Sequence, residues 1–506
     1  MTREVPRLVV AGLSGDSGKT LISLGVIAAL RRRGLSVSAF KKGPDYIDAA
    51  WLAWISQGTA RNLDTYLVPS DSVRQTYCDH TRGHDIAIIE GNRGLYDGRG
   101  SSGIHSTAEL ALLLRAPVVL VVNAGKATRT LAAVINGCVS FEPRLRVAGV
   151  ILNRVAGERH RKTIIDSIAQ YCEVPVLGAV PRVDCAEALL PSRHLGLVTP
   201  AEHGHAAHQM ASCLDEIGAR YLDVDRLLEC ARDAEPMEEP APPVSAEPVR
   251  RARVGYFRDS VFTFYYPENL EELAAQGAEL VPISSLHDPS LPDIDALYIG
   301  GGFPEVHAER LARNRPLMDA VRRASATGLP IYAECGGLIY LSRAITFQGT
   351  TYPMSGVFDI ALTMHAAPVG HGYTAVRVDR PCPFFPNGTE IRGHEFHYSA
   401  AAERLPKSVG CMKMVEGIGL GNGRDGLLSN HTLACYTHLH ALGVPGWAEA
   451  MVRCAQEYRQ GRPSGADAAG DPARVRQAHE GEQRSRARRI QKGAAGLKPH
   501  VLTTRS

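Results

Sequence analysis

The chain has no apolar run long enough to cross a bilayer. Its most continuous one, Ala116–Val122, has the length and β-branching of a buried strand, so no membrane partner is expected. It has little net charge. Its 56 Lys and Arg stand against 53 Asp and Glu, leaving +3 over 506 residues, which gives no reason to expect nucleic acid as a partner. It lacks any CxxC pair. The 11 cysteines are scattered, as reduced thiols of a cytoplasmic protein are. The first residues lack the long apolar core and small-residue cleavage site of a secretory signal, and run directly into a short strand and a glycine loop. No internal repeat is present.

The composition is globular, with 44% hydrophobic and 22% charged residues, in a chain too long for one ordinary core. From Arg7 to Val198, β-branched runs (Leu8–Ala11, Ile86–Ile89, Val118–Val122, Val147–Leu152) alternate with amphipathic stretches (Thr20–Arg33, Thr107–Leu114). That alternation predicts an α/β fold whose parallel sheet is covered on both faces. Residues 233–250 crowd Pro, Ala and Glu without period and read as a linker. A second α/β unit follows, with strands at Arg253–Phe257, Ala296–Ile299, Ile331–Ala333 and Gly426–Ser429. The expected organisation is therefore residues 1–232, linker 233–250, residues 251–460, and a tail 461–506 too poor in large apolar residues to order itself.

Gly12-Leu13-Ser14-Gly15-Asp16-Ser17-Gly18-Lys19-Thr20 follows the first strand and opens a helix. Gly12, Gly15 and Gly18 let backbone N–H groups turn inward around phosphate oxygens, with Ser17 in the loop and the helix dipole behind it. Lys19 would reach the terminal phosphates, and Thr20 would hold Mg²⁺. Leu13 stands where the standard spacing has glycine, a looser form that resembles the dethiobiotin synthetase type of loop. Asp45 and Glu90 follow the ends of neighbouring strands and are the candidate further metal ligands. Capping a helix or turn is the competing use of such acids.

In the second unit a strand runs into Gly300-Gly301-Gly302. About thirty residues on, Ile331-Tyr332-Ala333-Glu334-Cys335-Gly336-Gly337 reads as strand, sharp turn and helix. A cysteine on such an elbow is a candidate nucleophile, its thiolate favoured by the helix N-terminus. N–H groups of Gly301, Gly302 and Gly336 are the candidate oxyanion hole. His438, after a short strand, is the candidate base.

These segments together resemble the cobyrinic acid a,c-diamide synthase family over residues 7–460. Further carriers are Gly43–Asp48, Gly94–Gly98, Val150–Arg154, Arg193–Leu197, Phe264–Leu270, Gly300–Glu305 and Gly393–Tyr398. The resemblance implies a dethiobiotin-synthetase-like nucleotide domain joined to a class I glutamine amidotransferase domain. It implies a ligase that takes ammonia from L-glutamine and uses ATP, with GTP left open, and Mg²⁺. That ligase would amidate the a and c carboxylates of a tetrapyrrole, cobyrinate or hydrogenobyrinate, through an acyl phosphate. By the same resemblance Asp48 and Asp97 sit near the substrate carboxylate, Asn153 touches the nucleotide base, and Tyr46 and His394–His397 face the macrocycle. A homodimer is left open.

The chain departs from the family in places. Relatives of the glutaminase often carry an acid two residues after the histidine. Here His440 stands there, so no third member can be named. Gly91-Asn92-Arg93 also differs, and an extra Arg could meet another carboxylate, which keeps an amidase of sirohaem or a related isobacteriochlorin as an alternative. A nucleotide-switch ATPase fused to a binding module is the non-enzymatic one. His203, His205 and His208 lack a second cluster to complete a metal site. Cys172, Cys185 and Cys435 read as packing residues, and Arg484–Arg489 as a solubilising run.

Overall fold

Leu8 and Val10 pack into one hydrophobic core, and Val9 and Ala11, the alternate residues of the same strand, pack into another. An apolar strand with both faces covered belongs at the centre of a layered sheet. In the computed structural model that strand, Arg7–Gly12, lies inside a seven-stranded sheet. The order across the sheet is Ala60–Leu63, Val37–Lys42, Ile86–Glu90, Arg7–Gly12, Val118–Asn123, Val147–Val155 and Val176–Pro181. Every pairing is parallel. One face is covered by helices Lys19–Arg32, Tyr46–Ser56, Ala206–Tyr221 and Val224–Arg232. The other carries Ser70–Thr81, Thr107–Leu113, Thr130–Phe141 and Glu158–Tyr171. The structure describes residues 2–3, 5–183, 192–193, 196–197, 199–200, 206–238 and 252–461. His203, His205, Cys185, most of the linker, the tail with Arg484–Arg489, part of Arg193–Leu197 and the side chain of His208 lie outside the described residues.

The second half has a six-stranded sheet in the order Ala278–Ile283, Ala252–Phe257, Ala296–Ile299, Ile331–Glu334, Thr432–Cys435 and Leu427–Ser429. It is parallel except for its last pair. Residues 344–439 depart from simple strand–helix alternation, because they also build a four-stranded mixed sheet and a five-stranded antiparallel one. The larger orders Arg424–Asp425, Met412–Glu416, Gly370–Val378, Glu390–His397 and His438–Leu439. Its register sets His394 opposite His438.

Both halves lie within one unit that runs to Tyr458. Buried Arg61 of the first half reaches Glu271 at 2.8 Å and Glu268 at 3.4 Å in the second. Tyr373 Oη donates to Asp64 Oδ2 at 2.7 Å, and the Tyr66 ring lies 4.2 Å from that of Tyr373. Among the described residues no helix is long and apolar enough to cross a membrane.

Candidate active site

The phosphate-type loop lies where the chain order of the sheet reverses: Arg7–Gly12 has Ile86–Glu90 on one side and Val118–Asn123 on the other. Crevices at such points are where open α/β sheets bind ligands. Gly18 takes the left-handed conformation at φ 85°, and a Cβ there would meet Asn153 Nδ2 at 2.1 Å, so only glycine fits. Gly15 is open to space. Ser17 Oγ closes the loop internally, donating to Ser14 O at 3.0 Å and accepting from Ser14 N at 3.1 Å. Asn153, near the end of Val147–Val155 two strands away, donates to Ser17 O at 2.9 Å and accepts from Arg154 N. Its position here is a brace under the loop, with both amide atoms engaged.

Lys19 Nζ rests on Ser14 O at 2.8 Å. Burial, then repulsion from Lys41, bring its pKa down to about 8. Thr20 Oγ1 donates to Glu90 Oε1 at 2.8 Å. Glu90 is fully buried, and its other oxygen, Oε2, has no partner among the described residues. Burial raises its pKa, and Lys41 opposes the rise. An orphaned buried carboxylate oxygen next to a loop hydroxyl suits a divalent cation. Asp45 is used differently: its Oδ1 caps the helix Tyr46–Ser56, accepting from Ile47 N and Asp48 N at 2.9 Å each. Thr20 and Glu90 are thus brought together, while Asp45 takes the capping use that competes with ligation. Among the described residues no cluster of three or more His, Cys, Asp or Glu could hold a metal by itself, so water and phosphate oxygens would complete the shell.

Lys41 was not singled out from the sequence, yet it organises these acids. Its buried Nζ lies 2.6 Å from Asp48 Oδ2 and 2.7 Å from Glu90 Oε1. Burial alone would lower its pKa, but Asp48, Glu90 and Asp45 hold it above the ordinary value. The signal available was a lysine at the end of a buried strand, which must find an anion there.

Cys335 stands between the strand Ile331–Glu334 and the helix Gly336–Leu341 at φ 49°, ψ −96°. That strained elbow is the arrangement its sequence predicts. Burial and Glu305 push its thiol pKa up, while a hydrogen bond from the Gly336 N–H pulls it down. The glycine loop joins this elbow to the histidine. A Cβ at Gly301 would meet His438 Cε1 at 2.6 Å, and one at Gly336 would meet Gly302 N at 2.9 Å. Gly301 leaves the expected oxyanion set, because its N–H donates to Phe264 O at 3.3 Å. Gly302 and Gly336 remain. Buried Asn269 fixes the strand carrying His438, donating to Leu439 O at 3.1 Å and accepting from Ala441 N at 2.7 Å. Asp425 pins the turn before it through Tyr436 N and Thr437 N at 3.0 and 2.9 Å.

Tyr46 joins the two halves. Its ring stacks on Phe264 at 5.1 Å, and its hydroxyl lies 3.5 Å from His438 Nδ1. A cavity of about 630 Å³ opens beside it, lined from the first half by Asp45, Tyr46, Asn92, Arg93, Asp97 and Arg99, and from the second by His371, Tyr373, His394, Phe396 and His438. Asp97 accepts from Gly94 N at 2.9 Å. Asp48 does not line this cavity; it faces Lys41 instead.

A nucleotide-type loop and a strained, histidine-associated cysteine in one unit define a glutamine-dependent ligase that works with a nucleotide. Residues 8–195 match the family described as CobQ/CobB/MinD/ParA nucleotide binding domain, and residues 253–445 match the CobB/CobQ-like glutamine amidotransferase domain. Full-length relatives are similar throughout. The cobyrinate a,c-diamide synthase of Magnetococcus marinus is 40% identical over 462 residues, covering 90% of this chain and 98% of that protein. Proteins of the same name from Archaeoglobus fulgidus and Syntrophotalea carbinolica are 39% and 41% identical, with 90% and 88% of this chain covered and 99% and 98% of theirs. The chain belongs to the cobyrinate a,c-diamide synthase family.

Proposed function

We propose that this ligase converts the a and c carboxylates of cobyrinate to amides, with glutamine as nitrogen donor and ATP with Mg²⁺ as the source of activation. The reading rests on one observation: a single cavity has His438 of the glutaminase half on its wall together with Asp97 and Arg93 of the nucleotide half. A bare nucleotide switch has no use for a strained cysteine whose elbow packs on the glycine loop against that histidine.

Cys335 Sγ attacks the side-chain amide carbon of glutamine. His438 takes the thiol proton and returns it to the departing nitrogen, so ammonia leaves and a thioester remains. Water then releases glutamate. The Gly302 and Gly336 N–H groups face the oxyanion of each tetrahedral step. In the other half Lys19 leaves Ser14 O for the β- and γ-phosphates of ATP. Mg²⁺, held by Thr20 and Glu90, would neutralise charge on the phosphates during transfer to the substrate carboxylate. Activation is needed because a carboxylate is a poor electrophile at neutral pH. Ammonia displaces phosphate from the acyl phosphate near Asp97, while Asp48 stays paired with Lys41 beside Glu90. Arg93 and Arg99 offer positive partners for the other peripheral carboxylates, and His371, kept neutral by burial and by Arg93, offers a ring N–H. A reaction using a free thiol nucleophile belongs in a reducing cytoplasm.

Mass spectrometry of products tests the reading. Two glutamine-dependent amide gains on cobyrinate, with none on sirohaem, are expected. Amidation of sirohaem and not of cobyrinate would overturn it.

A further inference from the structure

The residue two after the base, His440, faces away from this chemistry. Its ring lies 4.6 Å from that of Tyr266, and its Nε2 is 3.6 Å from Glu268. A histidine that carries a proton from sulfur to nitrogen still needs its second ring nitrogen held, because a free imidazole can turn or adopt the wrong tautomer.

Two polar groups meet His438 Nδ1. Tyr46 Oη is at 3.5 Å and Glu334 Oε2 at 3.7 Å. Among the described residues His394 also borders it: its ring stacks on His438 at 4.8 Å, and its pKa is lowered by burial and by His438 and His440. Tyr46 is a weak counterpart, since burial raises its pKa further and leaves a neutral phenol. Glu334 carries the charge type that an imidazolium needs. It is completely buried, so its carboxyl is a deliberate feature of the core. Three donors fix it in place: Tyr298 Oη to Oε2 at 3.0 Å, Tyr332 Oη to Oε1 at 3.2 Å, and Leu439 N to Oε1 at 3.1 Å. The last is the peptide N–H next to His438 itself, so the strand that carries the imidazole is tied to the carboxyl at the end of Ile331–Glu334. Catalytic hydrogen bonds are often long before substrate binds.

We propose that Glu334, the residue before the nucleophile, is the positioning residue of the glutaminase histidine. It does the work that an acid two places after the histidine does elsewhere. The Cys335 proton moves to Nε2, Nδ1–H stays directed at Glu334, and the Nε2 proton then leaves with ammonia. This rests on the reading of Cys335 and His438 given above.

The test measures glutamine hydrolysis by the full chain, with amidation driven by added ammonium salt as the control. Glu334→Gln keeps the shape but exchanges one acceptor oxygen for an NH₂ donor and removes the charge. It should lower glutaminase kcat roughly 100-fold, with KM for glutamine within about threefold and ammonium-driven amidation unchanged. Glu334→Asp should recover part of the loss. In a His438→Ala background Glu334→Gln should cost nothing further. Parental kcat in Glu334→Gln, losses that add to those of His438→Ala, or an equal loss of ammonium-driven amidation would each overturn the proposal. Should the Gln variant fail to fold, Glu334→Asp decides: a lower kcat at unchanged KM supports the role, and parental kcat overturns it. Undiminished glutamate release by Cys335→Ser would instead overturn the underlying nucleophile reading.

Discussion

Replacing Lys41 by methionine keeps most of the buried stem but removes the ammonium that sits 2.6 Å from Asp48, 2.7 Å from Glu90 and 3.2 Å from Gly91 O. Two carboxylates are then left in the interior without their cation. Breaking a buried pair in this way costs about 3–5 kcal/mol, which for a domain of this size lowers Tm by about 6–20 °C. The pH dependence has a definite sign. Lys41 has a raised folded pKa, so its contribution is complete below the ordinary lysine value of 10.5 and fades only as pH rises through the higher folded value. In the variant the deficit should be full at pH 8. It should shrink toward pH 5, where the abandoned carboxyls can take up protons. Thermal unfolding of nucleotide-free protein at the two pH values checks this. Amidation should fall by roughly 100-fold, since Asp48 loses its anchor, while glutamine hydrolysis continues. A Lys41→Met protein with parental Tm at pH 8 would refute the claim that this ammonium holds the acid cluster.

Three other perturbations separate the parts of the site. Burial raises the Glu90 pKa in the folded state, so its contribution to stability is complete below 4.5 and is lost as pH rises toward neutrality; Glu90→Gln should flatten that slope in pH-dependent melting and abolish Mg²⁺-dependent turnover. Gly301→Ala puts a Cβ 2.6 Å from His438 Cε1 and should reduce glutamine-dependent amidation by at least about 100-fold, leaving ammonium-driven amidation intact, as assayed side by side. Tyr373→Phe deletes the 2.7 Å bond to Asp64 across the two halves and should cost about 1–2 kcal/mol, read as a lower Tm.

The nucleotide half was legible because its strands are apolar on both faces, and a glycine loop between a strand and a helix has few other uses. Cys335 was legible for the same reason: strand, turn and helix fix a strained elbow from local sequence alone. Residues 344–439 were harder. Gly370–Val378 buries Gly370, Thr374, Val376 and Val378 and exposes His371 and Arg377, so its period of two is carried by only two large apolar side chains and is hard to read from the sequence. Glu334 was quoted within the nucleophile motif without a role, since an acid on a buried strand reveals its partner only in three dimensions. The contact of Tyr46 with His438 spans 392 residues, and no local pattern encodes it. Gly301 shows the opposite limit. Its glycine identity was readable, but the loss of its N–H to Phe264 depended on a bridge between distant loops.

Ammonia made at Cys335 must reach the acyl phosphate as a neutral nucleophile, because ammonium has no free electron pair. A path through solvent would protonate it, whereas a path along the shared cavity need not. The rings of Tyr46 and His394 lie 5.5 and 4.8 Å from that of His438, and Phe264 stacks on Tyr46. Phenyl rings donate no proton, burial holds the Tyr46 hydroxyl protonated, and burial with two neighbouring histidines keeps His394 neutral. The same cavity is also lined by Asp97, Arg93 and Arg99, where an anionic substrate belongs and a neutral amine would meet it. This shared lining exists because the halves close on one another through Phe264, Tyr46, Tyr373 and Asp64. The interface between the halves is therefore part of the catalytic apparatus, and loosening it should uncouple glutamine consumption from amide formation before either half loses its own chemistry.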